Sequence, residues 1–256
     1  MTKRNNVDDV TSNIPGSEGQ SRKYGMSTLA VHAGARPDPV TGARGTPIYQ
    51  TTSFVFDDAE HGAELFNLQT FGYVYSRMTN PTVSVFEERV AQLEGGRGAV
   101  ATSSGHAAQF IAAATLMEAG DEFIASRNLY GGSVTQFGVS FPKLGWKCNF
   151  VDPTDPENFE KAMNDKVKFI FCEGVANPGG IILDLEKIAD IAHKHGVLLI
   201  VDNTLASPYL LRPFEWGADL VVHSTTKFIG GHGNTMGGIL IESAKIDWHK
   251  NDKYPG

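Results

Sequence analysis

The sequence predicts an α/β fold, with a mostly parallel seven-stranded sheet, helices on both of its faces, and an N-terminal arm. Two observations support this fold class. Seven short apolar runs recur along the chain, and segments with helical spacing of apolar residues alternate with them. The runs are continuous rather than alternating between apolar and polar, which is typical of parallel strands buried on both faces.

Composition excludes several classes of protein. The chain has 256 residues, of which 41% are hydrophobic and 20% charged, as in ordinary globular proteins. A net charge of −7 argues against binding to nucleic acid or to an anionic membrane surface. No apolar run is long enough for a membrane span, and the N-terminus has no signal-peptide core. The two cysteines, Cys148 and Cys172, predict a reduced, cytoplasmic protein and lie in no metal-ligand spacing, so no metal is expected.

The first part of the chain differs from the rest. Residues 1–24 are polar and show no periodicity, which predicts a disordered tail. Residues 25–55 are rich in Gly, Pro and Thr, and the segment 25–75 as a whole has too few regular apolar positions to pack on itself. We therefore expect them to form an arm that contacts a neighbouring subunit. A short helix within it, over residues 57–68, would be capped by Asp57 or Asp58.

Residues 76–256 form the predicted large domain. A helix capped by Thr82 ends at Gly95-Gly96, and strands and helices then alternate. The strands are predicted at 98–102, 122–126, 147–151, 167–172, 197–201, 218–222 and 238–241. The helices between them are predicted at 107–117, before Leu144, at 158–163 and at 185–195.

Polar residues follow the predicted strands, at the edge of a parallel sheet where ligands bind. Asp202 ends a run of five apolar residues, and a carboxylate there is costly unless it has a partner. That partner could be a backbone cap, an arginine, or the protonated nitrogen of a heterocycle. The segment Ser104-Gly105-His106 precedes an Ala-rich helix, whose first N–H groups predict either an anion site or a plain N-cap turn.

Lys227 lies in a glycine-rich loop between two apolar strands. Burial lowers the pKa of a lysine, so Lys227 is a candidate amine nucleophile that forms a Schiff base, although a solvated surface lysine is the alternative. Ser224 and Thr226 offer hydroxyl groups that suit a phosphate. A pyridoxal cofactor needs one Schiff-base lysine and one acid for its ring nitrogen, and Lys227 and Asp202 lie on successive strand ends.

Three further residues have a ligand-binding interpretation beside an ordinary one. Tyr130, flanked by glycines, could stack on a ligand ring or pack in the core. Asn177 could donate to a ligand oxygen, but Asn-Pro is equally a turn signal. Arg77 could bind a phosphate through two hydrogen bonds or lie on the surface.

Taken together, these motifs resemble the Cys/Met-metabolism family of pyridoxal 5'-phosphate (PLP) enzymes, the transsulfuration group of the PLP-dependent transferase fold type I. They run in the family's order from about residue 26 to the end of the chain. The motifs are Tyr75-Ser-Arg77 with Asn80-Pro-Thr82, Ser103-Ser-Gly105, Tyr130-Gly-Gly132, Asn177-Pro178, Val201-Asp-Asn-Thr204 and Ser224-Thr-Thr-Lys227.

The resemblance implies roles for individual residues. Lys227 would hold PLP as a Schiff base and move protons, and Asp202 would pair with the ring nitrogen. Tyr130 would stack on the ring and take part in proton transfer, while Asn177 would contact the ring hydroxyl. The remaining implied cofactor contacts, mostly to the phosphate, are Ser104, Gly105, His106, Thr204, Ser224 and Thr226.

The resemblance also implies partners and a reaction. Tyr75 and Arg77 would reach the phosphate in the neighbouring subunit, so a homo-oligomer, a dimer of dimers, is expected. Segments 128–133, 223–233 and 246–248 resemble the branch of the family that replaces the acetoxy group of O-acetylhomoserine by sulfide or a thiol, giving homocysteine or methionine and releasing acetate. Cystathionine γ-synthase, a γ-lyase acting on methionine or cystathionine, and a PLP-binding chain without turnover remain alternatives.

Two departures from the family pattern stand out. Gly174 lies where the family usually has Ser or Thr, which alters one side of the pocket. The chain stops at Gly256, whereas the family continues into a C-terminal domain that supplies the arginine for the substrate carboxylate. The sequence is therefore expected to comprise the arm and the cofactor domain only.

Overall fold

The computed structural model describes residues 24–248 and 253–254. Contacts divide this part of the chain into two units, one ending at Val90 and the other starting at Ala91, and each is described by itself. The predicted tail, 1–24, lies outside the described residues except for its last residue. The predicted boundary between arm and large domain, at residues 75 and 76, stays a prediction.

The first unit is mainly irregular and contains two short helices and the start of a longer one. Asp58, one of the two expected caps, accepts a hydrogen bond from the His61 N–H at 2.8 Å. The third helix begins one residue before the predicted cap Thr82. The capping side chain is that of Asn80, whose Oδ1 accepts a hydrogen bond from the Thr82 N–H at 2.9 Å. These helices are α1 (Met26–His32), α2 (Ala59–Phe66) and α3 (Pro81–Glu94).

An extended stretch of this unit is held by isolated contacts. Ser53 forms an antiparallel bridge with Tyr75, and the Asn80 amide donates to the Tyr49 carbonyl at 2.9 Å. Several apolar side chains of the unit are almost fully exposed, namely Val40, Val55, Ile48, Leu68 and Phe71.

The second unit is built on a seven-stranded sheet with the order β1-β7-β6-β5-β4-β2-β3. Strands β2 to β6 pair in parallel, whereas β7 runs antiparallel to both of its neighbours. The predicted mostly parallel, seven-stranded sheet is therefore confirmed. The strands are β1 (Gly98–Thr102), β2 (Glu122–Ser126), β3 (Lys147–Val151), β4 (Val167–Glu173), β5 (Leu198–Asp202), β6 (Leu220–His223) and β7 (Gly238–Glu242).

Helices connect the strands. The α5 helix continues through a π turn, Gln136–Ser140, and a 3-10 turn, Phe141–Leu144, which together match the predicted helix ending near Leu144. A further 3-10 turn, Pro213–Trp216, and the short α8 were not predicted. The helices of this unit are α4 (Gly105–Leu116), α5 (Gly131–Thr135), α6 (Glu157–Lys161), α7 (Leu185–Lys194) and α8 (Ser207–Leu210). None of the helices in the described ranges has the length and apolar character needed to cross a bilayer.

Both faces of the sheet are covered. On one face Phe123 and Phe169 stack at 4.8 Å between ring centroids and join a core with Ala112 of α4. On the other, α7 packs on β5 and buries Ile188 and Ala192. Because successive residues of a strand point to opposite faces, this double coverage explains the continuous apolar runs.

Candidate active site

Two carboxylates lie side by side at the carboxyl edge of the sheet. Glu173 is the last residue of β4 and Asp202 the last of β5, and the strand register pairs them directly. Both are almost fully buried. The residues that follow β5 and β6 adjoin them, so this edge collects the polar groups expected from the sequence.

Asp202 is held by two donors. Its Oδ1 accepts from the Thr204 N–H at 2.9 Å, and its Oδ2 accepts from the Gln109 amide at 3.1 Å. Gln109 lies on α4 and also donates to the Ser133 hydroxyl at 3.0 Å. A buried carboxylate is costly without partners, and here a backbone cap and a side-chain amide supply them rather than an arginine.

The N-terminus of α4 faces the loop after β6. The Ser104 hydroxyl accepts from the Ala107 N–H at 3.1 Å, which makes Ser104 the N-cap. Within the described residues, the N–H groups of Gly105 and His106 have no acceptor. A Cβ on Gly105 would lie 2.8 Å from Ser224 Cβ, so only glycine allows the helix end to approach Ser224 this closely. Free N–H groups at a helix N-terminus favour an anion.

Hydroxyl groups fasten the loops around this position. The Ser224 N–H donates to the Thr204 hydroxyl at 2.8 Å, which ties the loop after β5 to the loop after β6. The Thr226 hydroxyl donates to the Gly237 carbonyl at 3.2 Å and accepts from the Gly237 N–H at 3.1 Å. Thr226 therefore closes the base of the glycine-rich loop.

Lys227 is exposed, in contrast to the burial expected from its place between two apolar strands. The buried strand ends at His223, and a turn begins immediately after it, with the Lys227 N–H donating to the Ser224 carbonyl at 3.2 Å. This turn brings the side chain to the surface, where water solvates the lysine ammonium group. The argument from burial was therefore wrong. What supports Lys227 as the cofactor-binding lysine is then its place in the Ser224-Thr-Thr-Lys227 motif.

Tyr130 and His106 lie against each other beside α4. Their ring centroids are 5.9 Å apart, and the Tyr130 side chain is about half exposed, so it does not belong to the core. A Cβ on Gly132 would lie 2.5 Å from a Tyr130 ring carbon and 2.6 Å from a His106 ring carbon. The glycine thus gives the two rings their room. The His106 Nε2 is buried and has no partner in the described part of the chain.

Glu173 connects the Tyr130 and Asn177 segments. Its Oε1 accepts from the Tyr130 N–H at 2.6 Å, and its Oε2 accepts from the Asn177 N–H at 2.8 Å. Burial is the largest cause that raises the pKa of the Glu173 carboxyl, to about 7, and the charge of Asp202 adds to it. Asn177 itself is exposed and precedes a cis peptide bond to Pro178.

A second buried group lies beneath the loops. The His223 Nε2 and the Glu94 Oε1 are 2.5 Å apart, and both side chains are fully buried. Asn203 donates to the same Glu94 oxygen at 2.8 Å and to the Leu211 carbonyl at 2.8 Å. This network links the end of α3 to the residues next to Asp202 and Ser224.

Sequence reasoning gave no role to Glu173, Gln109, Glu94 or His223. Glu173 could have been found, because it ends a continuous apolar strand just as Asp202 does. Gln109 and Glu94 lie on helices far away in sequence, and no local pattern marks their contacts.

Gly174, a departure from the family pattern, also has a structural explanation. A Cβ at this position would lie 2.5 Å from Leu211 Cδ2, so a leucine fills the space that a Ser or Thr side chain would need.

The remaining predicted site residues, Tyr75 and Arg77, belong to the first unit. Both are exposed, and the Arg77 guanidinium carbon lies 5.7 Å from the centroid of the Tyr75 ring. This distance allows a cation–π contact between them.

Comparison with known proteins relates the chain to sulfur amino-acid enzymes. It is 49% identical over 234 residues to the O-acetyl-L-homoserine sulfhydrylase of Leptospira meyeri, which covers 91% of this chain and 53% of that protein. It is 49% identical over 229 residues to the homocysteine synthase of Schizosaccharomyces pombe, covering 89% of this chain and 53% of that protein. The chain thus spans about half the length of the curated relatives it matches.

Solved structures agree with these relatives. The putative O-acetylhomoserine (thiol)-lyase of Campylobacter jejuni superposes with a TM-score of 0.88 at 38% identity, covering 91% of this chain and 57% of that one, and was solved with a pyridoxyl-lysine adduct. The metB protein of Corynebacterium glutamicum gives a TM-score of 0.81 at 37% identity, covering 86% and 56%. The family model for Cys/Met metabolism PLP-dependent enzymes matches residues 27–255. This chain therefore belongs to the Cys/Met-metabolism family of PLP-dependent enzymes.

Proposed function

We propose that this chain binds PLP at the carboxyl edge of its sheet and catalyses γ-replacement on O-acetylhomoserine, in which sulfide or a thiol takes the place of acetate. With sulfide the products are homocysteine and acetate, and with methanethiol they are methionine and acetate. The observation that supports this proposal most directly is the buried Asp202 carboxylate near α4, the helix whose N-terminus approaches Ser224. The similarity to O-acetyl-L-homoserine sulfhydrylase supports the substrate.

The residues present fit the cofactor. PLP needs an acid for its ring nitrogen, an anion site for its phosphate and an amine for covalent attachment. Asp202 is the acid, oriented by two hydrogen bonds. The N–H groups of Gly105 and His106, together with Ser224, form an anion site because they carry free donors. Lys227 has an exposed amine that can reach a ligand without breaking an ion pair among the described residues.

Each residue then has a task in the reaction. When bound, PLP supplies the electron sink that stabilises negative charge beside the substrate's α carbon. The Lys227 amine would hold the cofactor and, once the substrate amine has taken its place, would accept the α proton. Tyr130 would stack on the ring and assist proton transfer through its hydroxyl, and Asn177 would contact the ring hydroxyl. The hydroxyls of Ser104, Thr204 and Thr226 hold the loops that present these groups.

We also propose a homo-oligomer, a dimer of dimers, in which Tyr75 and Arg77 reach the cofactor phosphate of a neighbouring subunit. The almost fully exposed Val55 and Phe71 of the same unit support a covered surface there, since such apolar side chains mark contact regions. The unpaired thiols of Cys148 and Cys172 support a cytoplasmic location.

The test combines covalent trapping with turnover on separate samples. Wild-type chain loaded with PLP and treated with borohydride should retain the pyridoxyl group on the peptide that contains Lys227, and Lys227→Ala should retain none. A second sample of the PLP-loaded wild type, not treated with borohydride, should release homocysteine from O-acetylhomoserine and sulfide. Labelling of a different lysine would refute the site, and labelling without homocysteine formation would refute the reaction.

Subunit sharing has its own test. Variants Lys227→Ala and Arg77→Ala, each inactive alone, should regain activity when mixed, because some sites then combine an intact residue from each chain. No regain on mixing would place Arg77 in its own subunit's site.

A further inference from the structure

The Glu173 carboxylate joins two segments that are distant in sequence. One oxygen accepts from the Tyr130 N–H at the start of α5, at 2.6 Å, and the other from the Asn177 N–H after β4, at 2.8 Å. Glu173 is the last residue of a buried strand and is 5% exposed. Its position is therefore set by the sheet, whereas Tyr130 and Asn177 lie on loops. The more rigid element holds the less rigid ones.

We propose that Glu173 is a positioning residue that fixes Tyr130 and Asn177 at the two sides of the cofactor ring, level with Asp202. The inference rests on the proposed function and deepens it, because it adds a residue that acts through two others. Glu173 and Asp202 are paired directly in the sheet register. The ends of two adjacent strands therefore carry both Asp202, the acid for the ring nitrogen, and Glu173, which holds Tyr130 and Asn177.

The surroundings of Glu173 make this support depend on pH. Burial is the largest cause of its raised pKa of about 7; the charge of Asp202 acts in the same direction, and the two N–H bonds act against both. On the neighbouring strand β2, the charged residue that directly follows the carboxyl end is Arg127, whose guanidinium pairs with Asp152 at 3.7 Å. Two titratable groups interact with the carboxylate, namely Asp202 on β5, whose charge raises the pKa of Glu173, and Cys172 on its own strand, whose pKa the charge of Glu173 raises.

Protonation removes one of the two contacts. An ionised carboxylate accepts at both oxygens, but a protonated one carries a hydrogen on one oxygen, which then faces an N–H donor. As the pH falls through about 7, one of the two segments should loosen. PLP binding should weaken over the same range, because Tyr130 and Asn177 are less well positioned.

The first measurement is made without cofactor on the full chain. Amide chemical shifts of Tyr130 and Asn177 are followed by NMR from about pH 5.5 to about pH 8.5. This range brackets the raised Glu173 pKa of about 7. We expect both amides to titrate with one common midpoint near neutrality. Glu173→Gln should abolish the common titration, since an amide side chain has no proton to lose in this range.

The second measurement is the dissociation constant of PLP across the same pH range. In the wild type it should rise as the pH falls, and in Glu173→Gln it should be about tenfold higher at high pH and nearly independent of pH, as expected for one lost charge-assisted hydrogen bond. The matched control is Glu122→Gln. Glu122 is the first residue of β2, at the amino edge of the parallel strands, and its carboxylate accepts hydrogen bonds from Asn149 at 2.7 Å, Asn164 at 3.2 Å and Lys147 at 3.2 Å.

The outcomes separate the two proposals. Amides that titrate apart, that titrate unchanged in Glu173→Gln, or that respond equally to Glu122→Gln would overturn the role of Glu173. A common titration with a pH-dependent PLP affinity that the variant loses would support it. A wild-type chain that binds no PLP would refute the proposed function instead. The amide titration of wild type and Glu173→Gln needs no cofactor, so it would still decide whether Glu173 holds both segments.

Discussion

Replacing Gly105 by alanine tests the contact on which the anion site depends. The added Cβ would lie 2.8 Å from Ser224 Cβ, 2.9 Å from its Cα and 3.1 Å from its N. Carbon atoms in contact normally lie about 3.5 to 4.0 Å apart, so the distance between the two Cβ atoms must increase by at least roughly 0.7 Å. Two of the three obstructing atoms belong to the backbone of Ser224 and cannot rotate away. The N-terminus of α4 and the loop after β6 must therefore move apart.

The size of the effect follows from two opposing contributions. Overpacking of this kind costs about 1–3 kcal/mol, while replacing glycine in a helix recovers about 0.5–1 kcal/mol. We expect Gly105→Ala to lower the free energy of unfolding by about 1–2 kcal/mol. Displacement of Ser224 from the helix N–H groups should raise the dissociation constant of PLP about tenfold or more, which corresponds to about 1.4 kcal/mol.

The assays are urea unfolding without PLP and a PLP titration at neutral pH. Gly131→Ala is the matched control, because Gly131 is the first residue of α5, as Gly105 is of α4, and a Cβ there meets nothing within 4 Å. The control should be neutral or slightly stabilising and should leave PLP binding unchanged. If Gly105→Ala binds PLP like the wild type, the close approach to Ser224 is not what the phosphate requires.

Three further changes have defined outcomes. Asp202→Asn should retain PLP by the covalent link but lower kcat by about 100-fold or more, because a preorganised charge is lost; steady-state kinetics with unchanged kcat would contradict this. Glu94→Gln should lower the urea-derived free energy of unfolding by about 1–3 kcal/mol, because His223 and Asn203 both use one Glu94 oxygen, and an amide N–H at the place of the other oxygen would be a buried donor without an acceptor among the described residues. The hydrogen bond to Asp219 raises the pKa of His193. The contribution of this bond to the stability of the folded chain is therefore complete below about pH 6.5 and is lost as the pH rises through the raised pKa of His193. The stability difference between wild type and His193→Asn should therefore shrink on going from slightly acidic to alkaline pH, and a constant difference would refute this assignment.

The strands were predictable because burial on both faces leaves a clear local pattern. The run predicted at 197–201 is observed as Leu198–Asp202, and the helix predicted at 107–117 as Gly105–Leu116. The strand order and the reversed direction of β7 were not predictable in this way. They depend on which distant segments pair, and the connection before Gly238 carries no short hairpin signal.

In the candidate site, too, only the features that leave a local sequence pattern were predictable. The cost of burying a carboxylate at a strand end predicted a partner for Asp202, but nothing near it in sequence indicated that the partner is Gln109. Lys227 was selected for burial, yet it is exposed because the strand ends at His223 and a turn follows. Apolar flanks predict where a strand lies, whereas the direction of a loop side chain is set by backbone turns that the apolar pattern does not report.

The place of β7 has a consequence for how this protein is made. In the described sheet β1 pairs only with β7, its neighbour at that edge, although the entire parallel part of the sheet lies between them in the chain. A ribosome releases the N-terminal segments first, so β1 emerges long before the strand that will hold it. The loop with Lys227 leaves the ribosome just ahead of β7. During synthesis, the strand that pairs with β1 therefore emerges after the other described strands, and its pairing with β1 and with β6 can form only then.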